Sequence, residues 1–509
     1  MNKKHLISLV FALSIFFSIT NVNAEVKLME TPDSVFTIIP YLRIDGVILK
    51  NTVDLDSKNS DDSCSYLGLD YSLGFDWKSK NSGPEAFLKL ERNGPYDYDA
   101  PLFIHNTLTT STDRVERYTR GQLLPDIEEF WMDTPVDALP LRFKGGLFSY
   151  SVGNDIAAGG AYENYALNLY NAENKDIKWH VYYCKPDLVN KNPLGPHLKQ
   201  EKNQGIDYEH AKADFIAADM NFSLGRSVFQ PYVEFLSDRT NAKRVSNFST
   251  PTRKDNLGTL GIAWDLEAEK LSLGLEAARN FGEAKTSDSA FKSVRHTGYI
   301  IYTKAGYTID KITPHARSLF ASGNKVSTDM VDNGETVLTS GKNRAFSAYS
   351  PFNTTLGDSI YSNFETVPLV AMGGGWGLNY GINRPGTFAD PRVLENLMLY
   401  NLGFDYKLTD KMTCNVNWWY LRAMEPGVGT FNGSSIMLSD DLGNELDLSF
   451  DYQLNENVTI GLLSGYFFPG NYYKEERDDT SGSLFTPFTR GDGSAAGAYQ
   501  VELSLTLIF

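Results

Sequence analysis

Once its first 24 residues are set aside, the chain has no hydrophobic run long enough to cross a membrane as a helix. A spanning helix needs about 20 apolar residues, and no later stretch comes near that. Cysteine is scarce. Cys64, Cys184 and Cys414 lie far apart, with no CxxC and no Cys/His cluster at metal spacing, so neither a disulfide framework nor a metal site is legible. Histidine is scarce too. His105, His180, His197, His210, His296 and His315 form no HxxxH, no HExxH and no readable Ser/His/Asp arrangement. The expectation is a protein that is not an enzyme and takes no cofactor and no metal. Positive charge is in deficit: 47 Lys and Arg against 63 Asp and Glu give a formal charge of −16, which argues against nucleic acid as a partner. Gly373-Gly-Gly-Trp-Gly377 lacks the Lys-Ser/Thr of a phosphate loop and reads as a bulged or flexible strand.

What is present starts at the two ends. Lys3 and Lys4 precede an apolar run, Leu6 to Ile19, broken only by serines, and Val22-Asn23-Ala24 is a small-residue cleavage site. Residues 1–24 therefore read as a signal peptide, with 25–509 the exported chain. At the other end Tyr499, Val501, Leu503, Leu505, Leu507 and Phe509 share one face of an extended strand. Gln500, Glu502, Ser504 and Thr506 share the other, and Ile508 is the lone apolar exception. Lipid admits only structures whose backbone groups are all paired internally, a helix or a closed barrel. An exported chain without a spanning helix, ending in a strand with one greasy face, predicts a transmembrane antiparallel β-barrel. The mean hydropathy of −0.30 fits, because only alternate residues would face lipid.

Nineteen windows of strand-like alternation recur along the chain, from 35–47 to 499–509, with one at 366–382. Bacterial barrels have even strand numbers, so about 16–18 strands are expected, with 18 the working figure. Tight hairpins are signalled at 222–229, 266–271, 406–412 and 452–458. They alternate with long connections at 186–212, 238–256, 281–294, 321–365, 423–442 and 468–498. Short turns on one side and long loops on the other are the outer-membrane arrangement. The segment 321–365, rich in Ser, Thr, Asn and Gly, is long enough to be a constriction loop that enters the pore.

Strand phase nominates the residues that line the lumen, because a charge in mid-strand is too costly to face lipid. The basic candidates are Arg43, Lys89, Arg142, Lys144 and Arg317. The acidic ones are Glu445, Asp447, Asp451 and Glu502. The alternative is that such charges pair across the lumen simply to satisfy one another.

Several stretches resemble the alginate-export family of outer-membrane porins. They are Leu442-Gly443-Asn444-Glu445-Leu446-Asp447-Leu448, Tyr452 and Gly465-Tyr-Phe-Phe-Pro469-Gly470-Asn471-Tyr472, with Asn401 to Leu408 and Trp418 to Leu421 before them. The likeness runs over roughly 390–509. A fainter one covers 125–170, where Gly146-Leu-Phe stands in place of that family's Gly-Arg-Gln. The resemblance implies a monomeric barrel in the outer membrane of a Gram-negative bacterium, in contact with its lipid. It also implies that Tyr499–Phe509 is the address read by the barrel-assembly machinery. In that family, basic lumen residues guide a polyuronate. Here the matched inward positions Glu445, Asp447 and Asp451 are acidic. The expected function is a channel for passive diffusion or export of hydrophilic solutes, small or polysaccharide, an anionic saccharide among them. The alternative is a plugged structural or surface-interaction barrel without an open pore.

Overall fold

The computed structural model describes residues 26–51, 64–92, 103–104, 126–136, 139–148, 150, 152–154, 164–171, 177–185, 213–239, 252–286, 293–325, 331–332, 335–336, 341–346, 396–432, 434–475 and 495–508. The expected signal peptide, the 366–382 window and Phe509 fall outside them.

Eighteen strands form the wall. The first nine are β1 (Ser34–Lys50), β2 (Cys64–Ser79), β3 (Glu85–Arg92), β4 (Asp126–Pro135), β5 (Leu141–Phe148), β6 (Asn164–Asn171), β7 (Ile177–Cys184), β8 (Ala213–Leu224) and β9 (Ser227–Asp238). The rest are β10 (Thr252–Ala268), β11 (Leu271–Thr286), β12 (Tyr299–Tyr307), β13 (Ile312–Ala321), β14 (Leu397–Thr409), β15 (Met412–Arg422), β16 (Asp441–Asn455), β17 (Val458–Pro469) and β18 (Ala498–Ile508). Each strand is antiparallel to the next. The sheet closes when β18 pairs with β1, with Leu507 opposite Leu42 and Glu502 opposite Val47. Closure leaves no open sheet edge along the wall, as lipid requires. Each of the other eighteen expected windows corresponds to one of these strands.

The connections alternate as the sequence implies. β8 turns into β9 through Gly225-Arg226, and β10, β14 and β16 turn into their successors equally tightly, while the connections at the opposite end are long. Gly225 sits at φ +63°, a backbone that side chains resist, with open space where a Cβ would point. No helix among the described residues is long and apolar enough to cross a membrane. The described helix, Asn471–Lys474, is a single turn in the connection from β17 to β18.

The distribution of side chains is the reverse of a soluble protein's. In β14, Tyr400, Leu402 and Phe404 are exposed while Leu399 and Asn401 are buried; in β16, Leu446 and Leu448 are exposed while Glu445 and Asp447 are buried. The outer face thus carries a belt of exposed apolar and aromatic groups that also includes Leu260, Ile262, Trp418 and Phe468. Soluble surfaces rarely expose contiguous apolar area on this scale. A lipid phase turns that exposure from a cost into the driving force that holds the barrel.

Besides the wall, Val26–Glu30 pairs with Val35–Ile38 of β1, where β1 extends beyond β18. The strand Ser293–His296 joins β11 and runs parallel to Lys342–Asn343. Inside the barrel, Val152, Phe346, Leu438, Tyr472 and Tyr473, all from connections, pack in one cluster with Tyr232, Ile300, Trp419 and Phe467 of the wall.

Candidate functional site

The connection from β5 to β6 folds back into the barrel. Its described residues, Tyr150 and Val152–Asn154, form a strap against the inner face of β7 to β12. Tyr150 stacks on Tyr182 of β7 with ring centroids 4.4 Å apart, and its hydroxyl donates to Asp219 Oδ2 of β8 at 2.9 Å. The Gly153 amide donates to Gln230 Oε1 of β9 at 2.9 Å, and the Asn154 amide to Glu276 Oε2 of β11 at 2.6 Å. Lys304 Nζ of β12 reaches Asn154 Oδ1 at 2.8 Å. Val152 is 1% exposed. Gly153 lies at φ +63° with the Glu276 carboxylate where a Cβ would stand, so only glycine fits that crossing. Burial, reinforced by the charges of Asp219 and Glu234, raises the Tyr150 hydroxyl far above its ordinary value, and the group stays a donor.

A second inward segment belongs to the 321–365 stretch. The Arg295 amide donates to Gly341 O and the Thr297 amide to Asn343 O, while His296 Nε2 meets Asp255 Oδ1 at 2.7 Å. Phe346 follows, fully buried in the interior cluster. A Cβ at Gly298 would collide with the Ala345 carbonyl, so the seat of this segment also depends on a glycine.

All nine residues nominated by strand phase share the inner face of the sheet in register. Arg43 and Glu502, from β1 and β18, are brought together: the guanidinium bonds the Glu502 carboxylate and Asp45 Oδ1, the latter at 2.7 Å. Lys89 pairs with Glu91 on its own strand. Arg142 donates to Asp133 Oδ1 at 2.8 Å and to the carbonyls of Ser82 and Gly83 in the neighbouring turn. Lys144 caps two aromatic rings, 3.8 Å from the Trp131 centroid and 4.6 Å from that of Phe148. Arg317 donates to Asn401 Oδ1 at 3.4 Å. Glu445 and Asp447 are buried on β16, opposite Trp419 and Asn417. Asp451 lies near the short-turn end, exposed, where a cavity of about 260 Å³ is lined with it by Lys311, Asp405, Lys407 and Asn415.

Sequence reasoning did not single out the residues that meet the strap: Asp219, Gln230, Tyr232 and Glu276. Their phase is readable, since each falls on the inward side of its strand. Their importance was not, because it comes from a connection that returns to them from more than a hundred residues away in the case of Glu276 (122 positions from Asn154). The polar ladder His315–Asn417–Asn401 was missed for the same reason, its members joined across strands at 2.8 and 2.9 Å.

With this geometry in view, comparison with known families is decisive on one point. The profile of the Alginate export family matches residues 223–486, more than half of the sequence. The chain belongs to the alginate-export family. The match corrects the extent expected from sequence. It reaches well upstream of 390 and stops before the terminal strand, because repeated alternation without one dominant motif hides likeness from direct reading. The barrel is accordingly a porin-like protein of the Gram-negative outer membrane. Among solved structures, Pseudomonas aeruginosa OccK2 (OpdF) in complex with glucuronate is 9% identical, with a TM-score of 0.46, covering 92% of this chain and 97% of that one. OprD from Pseudomonas aeruginosa is 10% identical, TM-score 0.45, covering 93% and 92%. Acinetobacter baumannii OccAB3 is 9% identical, TM-score 0.44, covering 93% and 99%. No curated protein matches the chain.

Proposed function

We propose that the protein is a passive channel through which hydrophilic solutes cross the outer membrane, carrying them without chemical change. The observation that supports this best is the charged inner face of a closed wall whose outer face is apolar. Charged groups buried on many of the neighbouring strands, Asp45, Asp133, Arg142, Asp219, Glu445 and Glu502 among them, are costly unless they serve a wet path. On this reading Arg43, Lys89, Arg142, Lys144, Arg317, Glu445, Asp447, Asp451 and Glu502 line the solute path. The strap and the 341–346 segment narrow it, so the constriction belongs to two connections and not to 321–365 alone. The terminal strand Tyr499–Phe509 is the segment offered to the barrel-assembly machinery.

A plugged barrel is the second reading, and one observation favours it. Phe346, Leu438, Tyr472 and Tyr473 fill an apolar cluster inside the wall, as a stopper would. Planar-bilayer recording of the refolded protein separates the two. A steady conductance that rises with salt concentration supports the channel, and a silent, correctly folded barrel overturns it.

A further inference from the structure

The cavity of about 260 Å³ at the short-turn end is lined by charges of both signs. Two rows of inward positions make it. Thr313, Asp405, Asn415 and Ser449 stand abreast on β13 to β16. One step nearer the turns, Lys407, Thr413 and Asp451 stand abreast on β14 to β16, and Lys311 precedes them on the turn into β13. Gly461 of β17 is opposite Asp451, and a Cβ there would lie 3.1 Å from Asp451 Oδ1 and 2.5 Å from Ser504 Oγ. A glycine thus keeps the wall clear beside the carboxylate.

These groups are open to a solute. Lys311, Lys407, Thr413 and Asp451 are exposed, and the Asp405 side chain is 38% exposed. The charges at the two flanks are loosely engaged. Asp451 has no hydrogen bond or ion pair among the described residues. The charge of Arg43 acts on it, but that guanidinium is bound by Asp45 and Glu502. Lys407 Nζ stands 3.1 Å from Asp410, on side chains 58% and 97% exposed, and a pair so exposed to water yields readily. Lys311 Nζ donates to the Leu408 carbonyl at 3.2 Å, a neutral acceptor. Asp405, between the flanks, is engaged by Asn415 Nδ2 at 2.5 Å and faces His315 Nδ1 at 3.3 Å.

The lysines and Asp451 are held apart by the sheet. Lys407 is opposite Thr413 and Thr413 opposite Asp451, so two strand spacings, about 10 Å, separate their backbones. The recess is positive at one flank and negative at the other. A polyanion drawn to the lysines is repelled by Asp451, and a polycation drawn to Asp451 is repelled by the lysines. A solute with one charge of each sign satisfies both flanks at once. The hydroxyls of Thr313, Thr413 and Ser449 offer donors and acceptors to the polar groups between its ends. A cavity of this volume is near the lower end of the range for ligand sites, about 300 Å³, and suits a small solute.

We infer that this recess is a docking site for zwitterionic solutes, amino acids or short peptides, with Asp451 taking the ammonium group and Lys311 and Lys407 the carboxylate. The inference rests on the channel reading and deepens it by naming a solute class.

The test uses the full chain, refolded and inserted in planar bilayers at neutral pH, with current block and noise measured against three added probes. Dialanine carries both charges, dialanine amide only the ammonium, and N-acetyl-dialanine only the carboxylate. Dialanine is expected to act on the wild type at concentrations about threefold lower, or more, than either analogue. Asp451→Asn is expected to bring dialanine down to the level of the N-acetyl compound without weakening the latter. Lys311→Gln/Lys407→Gln is expected to bring it down to the level of the amide without weakening that. A conducting wild type that treats the three probes alike, or prefers a singly charged one, overturns this inference alone, and so do folded variants that weaken all three probes equally or none. The wild-type comparison needs no variant, so the inference stays testable if a variant does not refold. A silent wild-type barrel overturns the channel reading and this one with it.

Discussion

The seam where β18 meets β1 and the wall beneath the strap bury the same kind of charge in opposite ways. At the seam, Asp45 and Glu502 are 0% and 2% exposed and share one guanidinium, that of Arg43. Beneath the strap, Asp219 and Glu276 are held by hydroxyl, amide and backbone donors, and Glu234 by none. The first arrangement ties β1 to β18 through one guanidinium. The second relies on neutral donors, and it occurs where a connection enters the lumen. Burial alone therefore does not mark a working carboxylate in such a barrel. What surrounds it decides whether it serves the fold or the path.

The difference can be challenged first at the seam. Arg43→Met leaves two buried carboxylates without their cation and is expected to destabilise the barrel by about 3–5 kcal/mol. Urea unfolding in lipid, followed by tryptophan fluorescence, reads this directly. A change under 1 kcal/mol, on the order of a surface ion pair, would mean that the seam is not locked by charge.

A charge placed on the outer face has neither solution available. Leu402 is 58% exposed on β14, between inward Asn401 and Gly403. Leu402→Arg is expected to cost about 2–4 kcal/mol near the bilayer midplane, whereas Thr313→Arg, on the inner face opposite Asp405 and lining the cavity beside Asp451, should cost clearly less in the same assay. Equal costs would contradict the assignment of faces.

Smaller effects are expected under the strap. Tyr150→Phe removes the hydrogen bond to Asp219 but keeps the stack on Tyr182, so the loss of stability is about 0.5–1.5 kcal/mol. The clearer readout is single-channel current, which should become noisier or larger as the strap loosens. Quiet, unchanged current would show that the strap is held without Tyr150. The smallest stability effect belongs to Glu234→Gln. Its carboxylate has no partner to lose, so global stability should stay level or rise by about 1 kcal/mol. A loss of 2 kcal/mol or more, the size expected for breaking a buried hydrogen-bonded charge, would reveal a structural role.

Much of the wall was legible because a strand leaves a period of two in the sequence. Tyr452-Gln-Leu-Asn-Glu-Asn-Val458 announced a tight turn, and the structure closes β16 onto β17 there. Leu446 and Leu448 were separable from Glu445 and Asp447 by alternation, and exposure follows that alternation residue by residue. Local pattern could not reveal neighbours in space. Arg43 and Glu502 both read as inward, yet nothing in the sequence says that they meet across 459 positions. The strap was harder still. Tyr150 to Asn154 follows a strand and contains one glycine, as many loops do, and only its partners on β8, β9, β11 and β12 distinguish it.

Alternation and turn spacing were enough to specify an all-β wall of about 18 strands with its greasy side outward, because each of those properties is written in residues close together along the chain. The closure of the last strand on the first, the sharing of one arginine by two carboxylates, and the choice of which connection turns inward were settled by the folded barrel. Those features join residues far apart in sequence, and their energies depend on what stands opposite a group once the wall has curved round to meet itself.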